Sequence, residues 1–94
     1  MIFEVRASNQ YRRDFKRLNA SKEDVKKLNK AIYILSSGGQ LPKQYKDHKL
    51  KGGLKYRREC HIAPDWLLIY RKDKDQLLLL LLRTGTHRDV LGIE

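Results

Sequence analysis

With 94 residues, 40% of them hydrophobic and 34% charged, the chain can bury one modest core and is far from collagen-like or disordered composition. A formal charge of +10 on so short a chain favours a polyanionic partner. One cysteine excludes an internal disulfide, and with three scattered histidines it lacks the close paired spacing of a zinc site, so neither a metal nor another cofactor is expected.

Residues 1–6 alternate in character and read as a first strand. Ile2-Phe3 is followed by Glu4 and Arg6, too short and too charged for a signal peptide, so the cytoplasm is the expected location. Ser8 is an N-cap for a helix running to about Leu18, with Tyr11, Phe15 and Leu18 on one face and Arg12, Arg13, Lys16 and Arg17 elsewhere. Ser21, with Glu23 and Asp24 in the first turn, opens a second helix. Val25, Leu28, Ile32 and Leu35 give it a buried stripe, and Gly38-Gly39 ends it. The two helices should pack as an antiparallel hairpin.

Residues 40–53 read as a lysine-rich loop punctuated by Pro42, Gly52 and Gly53. A strand is expected from Leu54 to His61, with Tyr56, Arg58 and Cys60 on one face and Lys55, Arg57, Glu59 and His61 on the other. Ala63-Pro64-Asp65 makes a turn, Trp66 to Arg71 a further strand, and residues 72–75 a polar hairpin loop. Gln76 to Arg83 forms the next strand, whose unbroken leucines imply cover on both faces. Its run from Leu77 to Leu82 is far below the ~20 apolar residues of a membrane-spanning helix. Gly85 breaks the pattern, and Thr86 caps a short final helix through Leu91. The fold class is therefore α+β in one domain over residues 1–94: an antiparallel meander plus the N-terminal strand, with the helical hairpin on one face.

Charge is divided along the chain. Residues 1–60 hold 16 Lys/Arg against 6 Asp/Glu, whereas residues 61–94 hold five of each. The neutral part carries most of the groups suited to chemistry: His61, Asp65, Trp66, Arg83 and His87, with His48 nearby. Cleaving RNA without metal requires a base to deprotonate a ribose 2′-hydroxyl and an acid to protonate the leaving 5′-oxygen. It also requires a cation to offset charge on the phosphorane. Histidines fill the first two roles near neutrality, and the guanidinium fork of Arg83 matches two phosphate oxygens. Trp66 offers a base platform or, more simply, a core anchor. Cys60 should face away from His61 and be structural.

Three blocks carry a resemblance: residues 45–52 (Tyr-Lys-Asp-His-Lys-Leu-Lys-Gly), His61 to Tyr70 with Pro64-Asp65-Trp66, and Arg83-Thr84-Gly85-Thr86-His87. In these blocks and in its element order the chain resembles the YafQ branch of the RelE/ParE superfamily of bacterial toxins. The resemblance implies a RelE-like fold and a type II toxin–antitoxin toxin, a ribosome-dependent mRNA endonuclease held inactive by a cognate antitoxin. It implies that His48, His61, Asp65 and His87 are the acid–base set, that Arg83 braces the phosphate, and that Trp66 belongs to the wall of the site. Combined with the residue chemistry, His87 is expected as general acid and His48 or Asp65 as base, with His61 orienting. Lys46, Lys49, Lys51, Lys55, Arg57 and the arginines of the first helix would seat the domain on RNA of the 70S ribosome. The antitoxin is expected to bring an acidic segment that orders on binding. Leu91 stands where the family's better-known member has an aromatic residue, which bears on base grip. A superfamily relative that poisons gyrase, or a plain basic nucleic-acid-binding module, are the competing expectations.

Overall fold

Helices form where the sequence supplies caps and an apolar stripe. In the computed structural model, which describes residues 2–50 and 56–91, strand β1 (Glu4–Ala7) leads into helix α1 (Asn9–Leu18). The Ser8 hydroxyl accepts from the Tyr11 N–H at its start, and Asn19 closes it in a left-handed conformation. Helix α2 (Lys22–Ser36) begins with a full capping box, in which Ser21 and Asp24 satisfy each other's backbone N–H. Tyr11, Phe15, Leu28, Ala31, Ile32 and Leu35 from the two helices share one core with Cys60, Trp66, Leu68, Tyr70, Leu79 and Leu81 of the sheet. Cys60 is inert there, its thiol pushed up to about 12 by burial. No helix among the described residues is long and apolar enough to cross a membrane.

The loop after α2 contains a short 3-10 turn (Lys43–Tyr45) and a two-residue edge strand, β2 (His48–Lys49), which the sequence pattern leaves as loop. Three longer strands follow: β3 (Arg58–Ala63), β4 (Trp66–Asp73) and β5 (Leu78–Gly85), then the short helix α3 (His87–Leu91). The sheet order is β1-β5-β4-β3-β2, with β1 parallel to β5 and the other neighbours antiparallel. The expected strand from Leu54 is shorter at its start: Tyr56 has φ 65° and is exposed, a conformation that a strand cannot carry. Leu54 and Lys55 lie outside the described residues. β4 runs two residues further than Arg71, so the hairpin turn shifts and Leu77 (φ 55°, 47% exposed) belongs to the turn, not to the strand.

Pairing divides the side chains between two faces. Cys60 opposite Leu68, and Arg58 opposite Tyr70, face the helices. Glu59 opposite Ile69, and His61 opposite Leu67, face the other way, where Val90 of α3 covers Leu67 and Ile69. The register shifts at Ile62, a bulge directly beside His61. Gly85 lets α3 fold back over this face: its φ is 148°, and a methyl group would lie 3.3 Å from Val90 and 3.4 Å from Asp89.

Candidate active site

Three imidazoles converge on the face away from the helices. The ring centroids of His48 and His61 are 6.5 Å apart, and those of His61 and His87 are 5.4 Å apart. His48 comes from β2, His61 from β3, and His87 from the first turn of α3, which Thr86 caps by accepting from the Asp89 N–H at 3.1 Å. The fold thus assembles residues up to 39 positions apart in sequence.

Each ring is held by a different partner. The Asp65 carboxylate accepts from His87 Nδ1 at 2.8 Å and from the His87 backbone N–H at 3.2 Å. This fixes the tautomer and leaves His87 Nε2 for exchange with a ligand. The same two bonds hold the Asp65 carboxyl below its ordinary value. Asp65 is therefore built to orient His87, which differs from its expected role as base. His48 Nδ1 donates to the Lys46 carbonyl at 2.8 Å, and its Nε2 stands 3.3 Å from Glu59 Oε2. Both nitrogens of His48 thus face acceptors. Asp47 anchors the start of β2 from the other face, receiving the Tyr70 hydroxyl at 2.5 Å and Arg58 Nη2 at 3.1 Å.

His61 lies between the other two. Burial lowers its pKa, and His87, Lys46 and His48 add to that, while Glu59 opposes it. Its Nδ1 is buried without a hydrogen-bond partner among the described residues, which leaves Nε2 to exchange a proton. The ring is neutral near pH 7, with a lone pair to take a proton.

Glu59 is the member that the sequence reading misses. It is 4% exposed, a buried carboxylate whose partner is His48. Its signal was the period of two with His61, which places both on one face. Glu59, His61 and His87 each offer a ligand atom within 4.8 Å of the others, a spacing that could hold a transition metal. Linear spacing argues against a metal, but the fold brings these three donors together.

Two expected site residues are held differently from expectation. Trp66 is 9% exposed in the helix-side core, with Nε1 donating to Thr84 Oγ1 at 2.9 Å, so it is neither wall nor stacking platform in this arrangement. Positions 66, 68 and 70 share the helix-facing side of β4, which decides its direction. Arg83 faces Ile69 on the site side of the sheet, but its fork is occupied. Nε donates to Asp14 at 2.7 Å, and Nη2 donates to Asp14 and to the Asp89 carbonyl, both at 3.2 Å. Only Nη1 is left for a phosphate, and the expected two-point grip by the fork is not available. Lys46, Lys49 and Arg57 are exposed near His48, while Lys51, Lys55 and the side chain of Leu91 lie outside the described residues.

Known proteins match the chain over nearly all of its length. The family described as bacterial toxin of type II toxin-antitoxin system, YafQ, matches residues 3–92. The mRNA interferase toxin YafQ of Escherichia coli K12 is 40% identical over 91 residues, covering 95% of this chain and 96% of that protein. A metal-bound toxin from Helicobacter pylori superposes with a TM-score of 0.86 at 40% identity, covering 96% of this chain and 99% of that one. The toxin of the E. coli DinJ-YafQ toxin-antitoxin complex superposes with a TM-score of 0.84 at 36% identity, covering 98% and 100%. By sequence and by fold, the chain belongs to the YafQ family of bacterial type II toxin–antitoxin toxins.

Proposed function

We propose that residues 1–94 act as one toxin domain that cuts mRNA in the ribosomal A site and so stops translation in the cytoplasm. The observation that carries this reading is the Asp65–His87 pair facing a neutral His61 across 5.4 Å on an accessible face. His61 takes the proton of a ribose 2′-hydroxyl, whose oxygen attacks the adjacent phosphorus in line. His87, its Nδ1 held by the Asp65 carboxylate, gives an Nε2 proton to the departing 5′-oxygen. The phosphorus–oxygen bond to that group breaks, leaving a 2′,3′-cyclic phosphate and a 5′-hydroxyl. Arg83 Nη1 offsets the charge on the phosphorane.

These proton transfers need no metal. A transition metal on Glu59, His61 and His87 would occupy lone pairs that the transfers use, so we assign it an inhibitory effect. The exposed lysines beside His48 and the arginines of α1 support docking on ribosomal RNA, where the A site supplies the splayed codon. Antitoxin complexes of E. coli YafQ support a cognate antitoxin here. Its acidic segment would meet a chain of +10. Mapping mRNA 5′ ends after adding the protein to translating ribosomes tests the proposal. New ends within A-site codons are expected, whereas no new ends together with stalled replication would mean a gyrase target.

The pH profile gives a second test. A base must be unprotonated, so the rate falls as pH drops through its pKa. For His61 that fall comes below the ordinary value of 6.5, because burial lowers its pKa. Glu59→Gln removes the charge that opposes this lowering, so the acid limb of kcat/KM should move to still lower pH. A limb that moves upward assigns the base elsewhere.

A further inference from the structure

We propose that Asp14, in the middle of α1, is a positioning residue that aims Arg83 at the scissile phosphate. The inference rests on the reading of Arg83 as the group that braces phosphate. Asp14 is 3% exposed and falls on the apolar stripe of α1, a place where a carboxylate needs full compensation. It has that compensation: Gln10 Nε2 donates at 3.1 Å, Arg83 Nε at 2.7 Å, Arg83 Nη2 at 3.2 Å and the Thr84 backbone N–H at 3.2 Å. Burial pushes the Asp14 carboxyl up, but the bonds from Arg83, Gln10 and Thr84 outweigh it, so the group stays ionised.

The local topology explains why a helix reaches this point. β1 pairs with β5 only as far as Ala7 opposite Leu81, so the edge of β5 continues unpaired beyond it. Ser8 Oγ donates to the Leu82 carbonyl at 2.8 Å and Asp14 receives the Thr84 N–H, so α1 seals this edge in place of a strand. Sealing needs only an acceptor, which asparagine also provides. The charge on Asp14 is required by Arg83, whose Nε and Nη2 it holds while the Asp89 carbonyl holds the second Nη2 hydrogen. Five N–H groups thus become three fixed and two, on Nη1, without a hydrogen bond among the described residues. A guanidinium locked on one side is pre-organised on the other, as a developing phosphorane charge requires.

The test compares wild type, Asp14→Asn, Arg83→Lys and Arg83→Ala in single-codon cleavage on programmed ribosomes, with the Arg83 Nε–Hε resonance followed by NMR. Asp14→Asn should lower kcat by about 10²-fold, the scale of a slightly misplaced group, and leave KM for ribosomes within about threefold. The Nε–Hε signal should also lose its shifted, slowly exchanging character. A role in folding alone would lower the melting temperature without that split in kcat and KM. Arg83→Lys should fall with Arg83→Ala, because one ammonium cannot hold Asp14 and present a second nitrogen. If Asp14→Asn does not fold, Arg83→Lys decides the matter, and full activity in that variant overturns the proposal. Asp14→Asn cleaving like wild type while Arg83→Ala is impaired also overturns it. Arg83→Ala cleaving normally removes the role of Arg83 itself, and a wild type that cuts nothing removes the ribonuclease reading.

Discussion

His87→Ala is expected to slow codon cleavage on the ribosome by about 10³-fold, the middle of the range for a positioned acid–base group. Toxicity should fall with it. Among the described residues the side chain's hydrogen-bond partner is Asp65, at the surface, so its removal opens no cavity in either apolar cluster and should barely move the melting temperature. Ribosome affinity should hold too, because the exposed lysines and the α1 arginines remain. Single-turnover cleavage, together with ribosome co-sedimentation, separates the two effects. Retained cleavage in His87→Ala would falsify its assignment as acid and shift attention to His48, on the other side of His61.

Leu68→Ala carries the largest expected loss of stability. Leu68 sits on β4, the middle strand of five, with 0% exposure, and joins helix and sheet residues in the main core. Truncating it removes buried methyl groups and leaves a cavity that paired neighbours cannot close. The cost should be about 3 kcal/mol, a large part of what a small domain has in total. Thermal melts should shift down by about 10–20 °C for a chain of this size. Leu77→Ala, at an exposed turn, should change stability by less than about 0.5 kcal/mol. Equal shifts in the two variants would contradict the strand boundary at Leu78.

Why some of this was legible in the sequence and some not has physical causes. Caps at Ser8 and Ser21 and the 3, 4, 3 stripe of α2 are local, so the helices are readable from residue order. The leucines of β5 announce a strand with two covered sides, and Leu79 and Leu82 do lie against different clusters. β2 could not be seen, because two residues carry no period and the strand exists only by pairing with Arg58 and Glu59. The start of β3 was misjudged because alternation continues through Tyr56, while its backbone turns left-handed.

In the site, residue type pointed to the histidines, and strand-end spacing brought them near one another. At Trp66 residue type favoured a core anchor, which strand parity makes it, and the resemblance misled by placing it in the wall of the site. Type misled at Arg83, since nothing in the local sequence reveals a carboxylate 69 positions earlier. Glu59 and Asp14 were visible as polar residues on patterned faces, at a period of two from His61 and within the stripe of Tyr11 and Leu18. A charge on such a face is a signal only once its partner is known.

The parallel pairing of β1 with β5 has a consequence for synthesis of the toxin. Among the described residues β1 pairs with one strand, β5, which lies some 70 residues later, with Glu4 opposite Leu78. A nascent chain therefore cannot complete its sheet or hang α3 over it until β5 has left the ribosome that makes it. Long-range closure of this kind delays folding. Until then the cluster that α3 completes with His87 stays unassembled.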